Sequence, residues 1–112
     1  MAFLPQRTYL EENLAKNYDL SNGVSAFTSS DISEFLTFSL QFNYSSIDGS
    51  NLFILEQSND NLNWSNLSEE YEIPVGSGNF IIDKSSFTGK YVRVNLNSTN
   101  IGIITIVLIC KR

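Results

Sequence analysis

Apolar and polar positions alternate with a period of two along most of this chain, and the pattern is cleanest over residues 35–42. There Leu36, Phe38, Leu40 and Phe42 point one way while Thr37, Ser39 and Gln41 point the other, as in a half-buried strand. Tyr91-Val92-Arg93-Val94-Asn95-Leu96 alternates just as cleanly. The last run does not. Ile104, Ile106 and Leu108 share one face, yet Ile103, Val107 and Ile109 occupy the opposite face, interrupted only by Thr105. A strand with one side in water should be polar on that side. This strand therefore needs a second cover, either the N-terminal segment or a neighbouring subunit, and assembly becomes the leading expectation.

Turn chemistry divides the rest. Asp48-Gly49 marks a hairpin within residues 45–51, and residues 52–57 form the next strand, with either Phe53 and Leu55 or Leu52 and Ile54 inward. Residues 58–63 read as a polar loop, 64–67 and 70–73 as brief strands ending at Pro74, 76–78 as a turn and 79–83 as a strand. A short strand over residues 24–28 precedes them. About eight strands punctuated by Gly, Asn, Asp and Ser predict an all-β antiparallel sandwich or jelly roll over residues 21–112.

Residues 1–20 look different. Thr8 and Glu11 fit a capping box, and Leu10, Leu14 and Tyr18 recur at helical spacing. The spacing predicts a helix over residues 9–16 within an N-terminal docking arm, with Phe3, Leu4, Tyr9, Leu10 and Leu14 making the contacts.

The 112 residues carry a net charge of -5, with Lys and Arg scattered, so no basic stripe offers a grip on nucleic acid. The apolar stretch over 101–109 falls far short of the ~20 residues of a spanning helix, and residues 1–5 lack the layout of a signal peptide. A protein made in a cytoplasm, without membrane partners, is expected. Histidine is absent, which removes the commonest general base and metal ligand. Cys110 stands alone on the face of Ile104 and reads as a buried hydrophobe. Glu69, Glu70 and Glu72 are acids on one short segment, which reads as a solvated edge more readily than as a glycosidase pair. No catalytic residue, cofactor or metal site is expected; Asp48, Asp60 and Asp83 show no calcium-loop spacing.

Two stretches carry a resemblance. Glu56-Gln57-Ser58-Asn59-Asp60-Asn61-Leu62-Asn63-Trp64-Ser65-Asn66-Leu67 precedes Phe87-Thr88-Gly89-Lys90-Tyr91-Val92-Arg93-Val94, with Gly102-Ile103-Ile104-Thr105-Ile106 closing. Together they resemble small β-sandwich modules of tailed-bacteriophage virion proteins. The resemblance implies a virion structural component (accessory capsid, head fibre or tail) working by protein–protein assembly with itself and other virion proteins. The same stretches are similar to discoidin-type galactose-binding sandwiches, whose loop has Gly where Asn61 stands here. That likeness implies, as the alternative, a carbohydrate-binding module for host-surface attachment, with Trp64, Asn59 and Asp60 as a sugar platform. Trp64 is otherwise expected to cap the core. Tyr91 and Arg93, side by side on an outward strand face, are expected at a subunit contact together with Ile103, Val107 and Ile109.

Overall fold

The computed structural model describes residues 9–23, 26–35, 37–49, 51–84, 88–96 and 101–111. Eight strands run through them: β1 (Tyr9–Asp19), β2 (Ala26–Thr28), β3 (Thr37–Asp48), β4 (Asn51–Ser58), β5 (Ser65–Ile73), β6 (Gly76–Lys84), β7 (Tyr91–Leu96) and β8 (Ile101–Lys111). They form two four-stranded antiparallel sheets, β1-β8-β3-β6 and β2-β7-β4-β5. First pairs with last, second with seventh, third with sixth, and fourth with fifth. This is one long antiparallel hairpin rolled into two layers, a jelly-roll sandwich.

Period-two burial builds the core. Phe38, Leu40 and Phe42 of β3 and Ile104, Ile106, Leu108 and Cys110 of β8 face Phe53 and Leu55 of β4 and Val92, Val94 and Leu96 of β7. Phe53 and Leu55, rather than Leu52 and Ile54, are the buried pair of β4. Phe42 stacks on both Phe53 and Phe80 with ring centroids 4.8 Å apart, so one aromatic column bridges the two sheets. Such pairs add about 0.5–1.5 kcal/mol each beyond the area they bury.

The expected helix over residues 9–16 is instead strand β1, hydrogen-bonded along β8 from Tyr9 to Asp19. Leu10, Leu14 and Tyr18 do lie on one side, packed against the core. An interval of four is even, so it keeps one face in a period-two strand as well as on a helix; the register shifts between Asn13 and Ala15 and between Ala15 and Tyr18 bring Ala15 inward as well. Each bulge inserts a residue and resets the inward face. The four-residue interval that looks helical thus belongs to one face of a strand. Residues 9–19 are consequently a strand of the sandwich; Phe3 and Leu4 lie outside the described residues, as does Leu36.

Two further expectations change. Residues 65–67 and 70–73 belong to a single strand, β5, with Trp64 just ahead of it, and Gly76-Ser77-Gly78 opens β6 instead of forming a turn. Gly78 leaves room for the Tyr44 side chain of the neighbouring strand, whose hydroxyl would stand 2.8 Å from a Cβ there. Clamps tie β1 to the rest: the Glu12 carboxylate accepts from the Ser30 N–H (2.8 Å) and hydroxyl (2.6 Å). Ser29 and Ile32 in turn bond the backbone of Val92 and Lys90.

Candidate functional sites: an apolar sheet face and a polar loop cleft

Residues opposite one another on antiparallel strands share a face, so the register defines the outer surface of the β1-β8-β3-β6 sheet. One row holds Glu11, Ile109, Ser39 and Asp83; the next holds Asn13, Val107, Gln41 and Ile81. Beyond them come Thr105 with Asn43 and Asn79, then Asp19, Ile103 and Ser45. The apolar second face of β8 is therefore the centre of an open sheet surface, flanked by amides and hydroxyls. Ile103 is 42% exposed and Ile81 60%, while Val107 and Ile109 are half-buried. Strand β1 lies beside this surface and does not cover it. Thr105, which interrupts the apolar run, serves the neighbouring strand. Its hydroxyl accepts from the Asn17 N–H at 2.9 Å and fixes the bulge where Asn17 takes a φ of 47°.

The other candidate contacts scatter. Tyr9 is 60% exposed and shares this outer surface with Lys111, whereas Leu10 and Leu14 turn inward against the core. Tyr91 and Arg93 sit on the outer surface of the opposite sheet. The structure thus does not bring the expected contact residues into one patch. Sequence reasoning passes over Ile81, although residues 80–82 (Phe-Ile-Ile) carry the same two-faced signal as β8 in miniature.

Arg93 is committed locally. Its Nε donates to Glu56 Oε1 at 2.8 Å, and Asn95 Nδ2 donates to the same oxygen at 3.0 Å. The guanidinium carbon stands 4.2 Å from the Trp64 ring centroid. Trp64 therefore does not cap the core; it is half-buried on the outer sheet surface, with one ring face occupied by Arg93.

The polar loop 58–63 borders a cleft of about 290 Å³ lined by Gln57, Ser58, Asn59, Asp60, Asn63, Ser65, Thr88 and Gly89. Asp60 organises it. Its Oδ1 accepts from the backbone N–H groups of Leu62 (2.9 Å) and Asn63 (2.8 Å) and from the Ser58 hydroxyl (2.9 Å), and its Oδ2 from Asn63 Nδ2 (2.8 Å). These donors, the Asn63 N–H foremost, hold its carboxyl well below the usual carboxylate range. Asn61 adopts a φ of 62°, a left-handed conformation that Gly takes freely and Asn tolerates best among other residues. The loop shape is thus compatible with either residue at that position. On the other wall Gln57 Oε1 accepts from the N–H groups of Thr88 and Gly89, and Gly89 packs tightly, since a Cβ would meet Ser58 backbone at 3.1 Å. The cleft brings Asn59 and Asp60 together but leaves out Trp64. Among the described residues no cluster of His, Cys, Asp and Glu could hold a metal ion.

No protein-family model matches the chain, and neither does any curated protein. Solved structures do. A structure reported as "Bacillus endospore appendages form a novel family of disulfide-linked pili" superposes with a TM-score of 0.56 at 11% identity, over 99% of this chain and 94% of that one. The enzymatically active domain of tailspike protein 4 from bacteriophage CBA120 aligns with a TM-score of 0.49 at 12% identity, over 94% of this chain but 19% of its own. At such identities the likeness to the pilus protein is one of fold: this chain is an eight-stranded jelly-roll sandwich of the architecture found in that appendage protein.

Proposed function

We propose that the protein is a non-enzymatic structural component that works by self-assembly and by contact with other particle proteins, and that its setting is the virion of a tailed phage, on the capsid side. The observation that carries the assembly reading is the apolar row Ile103, Val107 and Ile109 on an open sheet surface, with Ile81 beside it. Exposed apolar patches rimmed by polar residues mark interaction sites. The sequence-level likeness to phage virion modules supplies the setting. A sandwich scaffold shared with a pilus protein is compatible with it. The chain has no histidine, and Glu70 and Glu72 point outward from an edge strand opposite Ile54 and Leu52, which gives acid–base chemistry no enclosed place. The 112 residues hold one cysteine, and it is buried. A polymer needs two links per subunit, so disulfides are not the means of assembly proposed.

Placing a charge on the face tests this reading. Val107→Lys leaves the inner face of β8 untouched and should reduce the self-associated mass seen by light scattering. An assembly indifferent to Val107→Lys and Ile103→Lys alike would remove the face from the account.

The loop cleft favours a second reading, carbohydrate attachment. Gln57 and Asn63 are oriented by their own hydrogen bonds, and hydroxyls of Ser65 and Thr88 stand nearby. Against it, the cleft lacks the aromatic platform that Trp64 was expected to provide. Glycan-array binding abolished by Asn63→Ala would move this reading to first place.

A further inference from the structure

Resting on the assembly reading, the edges of the two sheets point to where one self-contact forms. An edge strand offers unpaired N–H and C=O groups to any strand that can lie beside it, and stable monomers blunt such edges with bulges, brevity or charge. Among the described residues four strands are edges: β1, β6, β2 and β5. Strand β1 is bulged twice and carries Glu11, Glu12, Lys16 and Asp19. Strand β2 is three residues long. Strand β5 has a register shift against β4 and carries Glu69, Glu70 and Glu72. Strand β6 carries charge only at its end, on Asp83 and Lys84. From Gly78 to Lys84 it pairs with β3 in unbroken register, and its central residues Asn79, Phe80, Ile81 and Ile82 carry no charge.

We propose that β6 of one copy pairs antiparallel with β6 of a second copy about a two-fold axis, joining two four-stranded sheets into a continuous eight-stranded one. The occupant is argued from charge. A register centred on Ile81 sets Ile81 against its own copy, Phe80 against Ile82, Asn79 against Asp83 and Gly78 against Lys84. No like charges meet. The chain's other long edges fit less well: β5 would bring its three glutamates alongside Asp83, and the bulges of β1 break the straight run a partner strand needs. Self-pairing also covers Ile81, which is 60% exposed, and sets a second Ile81 against it on the outer face. A two-fold contact of this kind closes on itself. The β8 face two strands away, about 10 Å off, stays free for further contacts.

Single-cysteine cross-linking tests the geometry. Residues directly opposite on antiparallel strands have Cβ atoms about 4.5–5.5 Å apart, near disulfide range. Ile81→Cys should form a covalent dimer on mild oxidation, seen on a non-reducing gel. Mixtures of Ile81→Cys with Asn79→Cys or Asp83→Cys sample the adjoining registers. Ile101→Cys, 62% exposed but outside β6, should give no more dimer than the unmodified chain, whose Cys110 is buried. A chain that self-associates by light scattering yet cross-links through none of the β6 positions overturns the edge pairing and leaves the assembly reading standing. A chain that is monomeric throughout overturns both.

Discussion

Asn51 opens β4 opposite Ile73, and both residues are fully buried. Neither its Nδ2 nor its Oδ1 has a hydrogen-bond partner among the described residues. A buried amide left in this state costs about 1–3 kcal/mol in desolvation, and replacing it by an apolar group of similar shape removes that cost. Leucine branches at Cγ as asparagine does and adds apolar surface to the core, against which some overpacking must be set. Asn51→Leu is therefore expected to stabilise the fold by about 1–2 kcal/mol, raising Tm by roughly 5 °C or more for a domain of this size. Urea unfolding followed by circular dichroism should show a higher midpoint with an unchanged slope. Asn51→Ala, which removes the amide without refilling the space, should fall close to the unmodified protein. A loss of more than about 1 kcal/mol in both variants would refute the reasoning, because it would mean that the amide is hydrogen-bonded in solution.

Other consequences follow from the same geometry. Gly102 has a φ of 146°, and a Cβ there would lie 2.5 Å from Ile47 Cδ1 and 3.1 Å from its Cα; Gly102→Ala should destabilise by roughly 1–3 kcal/mol in thermal unfolding. Arg93→Ala removes both the Glu56 pair and the cover over the chain's single tryptophan; Trp64 emission should shift to the red, with a stability loss of about 1 kcal/mol or less because the pair is partly exposed. Asp60 has a folded-state pKa below its unfolded one, so its contribution is fully present above the unfolded value and is lost as pH falls from there through the folded value. Its carboxyl carbon, followed by NMR, should still report the ionised form at about pH 3.9, where an ordinary Asp is half protonated. A normal midpoint would mean that the loop bonds do not persist in solution.

The class of fold is legible in the sequence because burial in a sandwich imposes a period of two that β3 and β7 display without interruption. Turn chemistry locates Gly49, and the polar run 58–63 is a loop built on Ser58 and Asp60. Strand β1 is disguised for a physical reason: Leu10, Leu14 and Tyr18 recur at an interval of four, which suits one face of a strand and one face of a helix alike, and the capping-box residues Thr8 and Glu11 favour the wrong period. Trp64 defies its expected place because size and apolarity favour burial in general, while the partner that holds it outside, Arg93, is distant in sequence. The doubly apolar character of β8 is plain from the chain itself. That its second face is an open surface depends on β1 landing beside β8, which pairing alone decides.

The central claim is that this chain associates through its β1-β8-β3-β6 sheet. Light scattering on the eluting peak of the unmodified 112-residue chain, over a range of concentrations, tests it most directly. A mass that is a multiple of 12.6 kDa, and that falls when Val107 or Ile81 is replaced by lysine, is the expected result. A constant mass of 12.6 kDa at every concentration would contradict it.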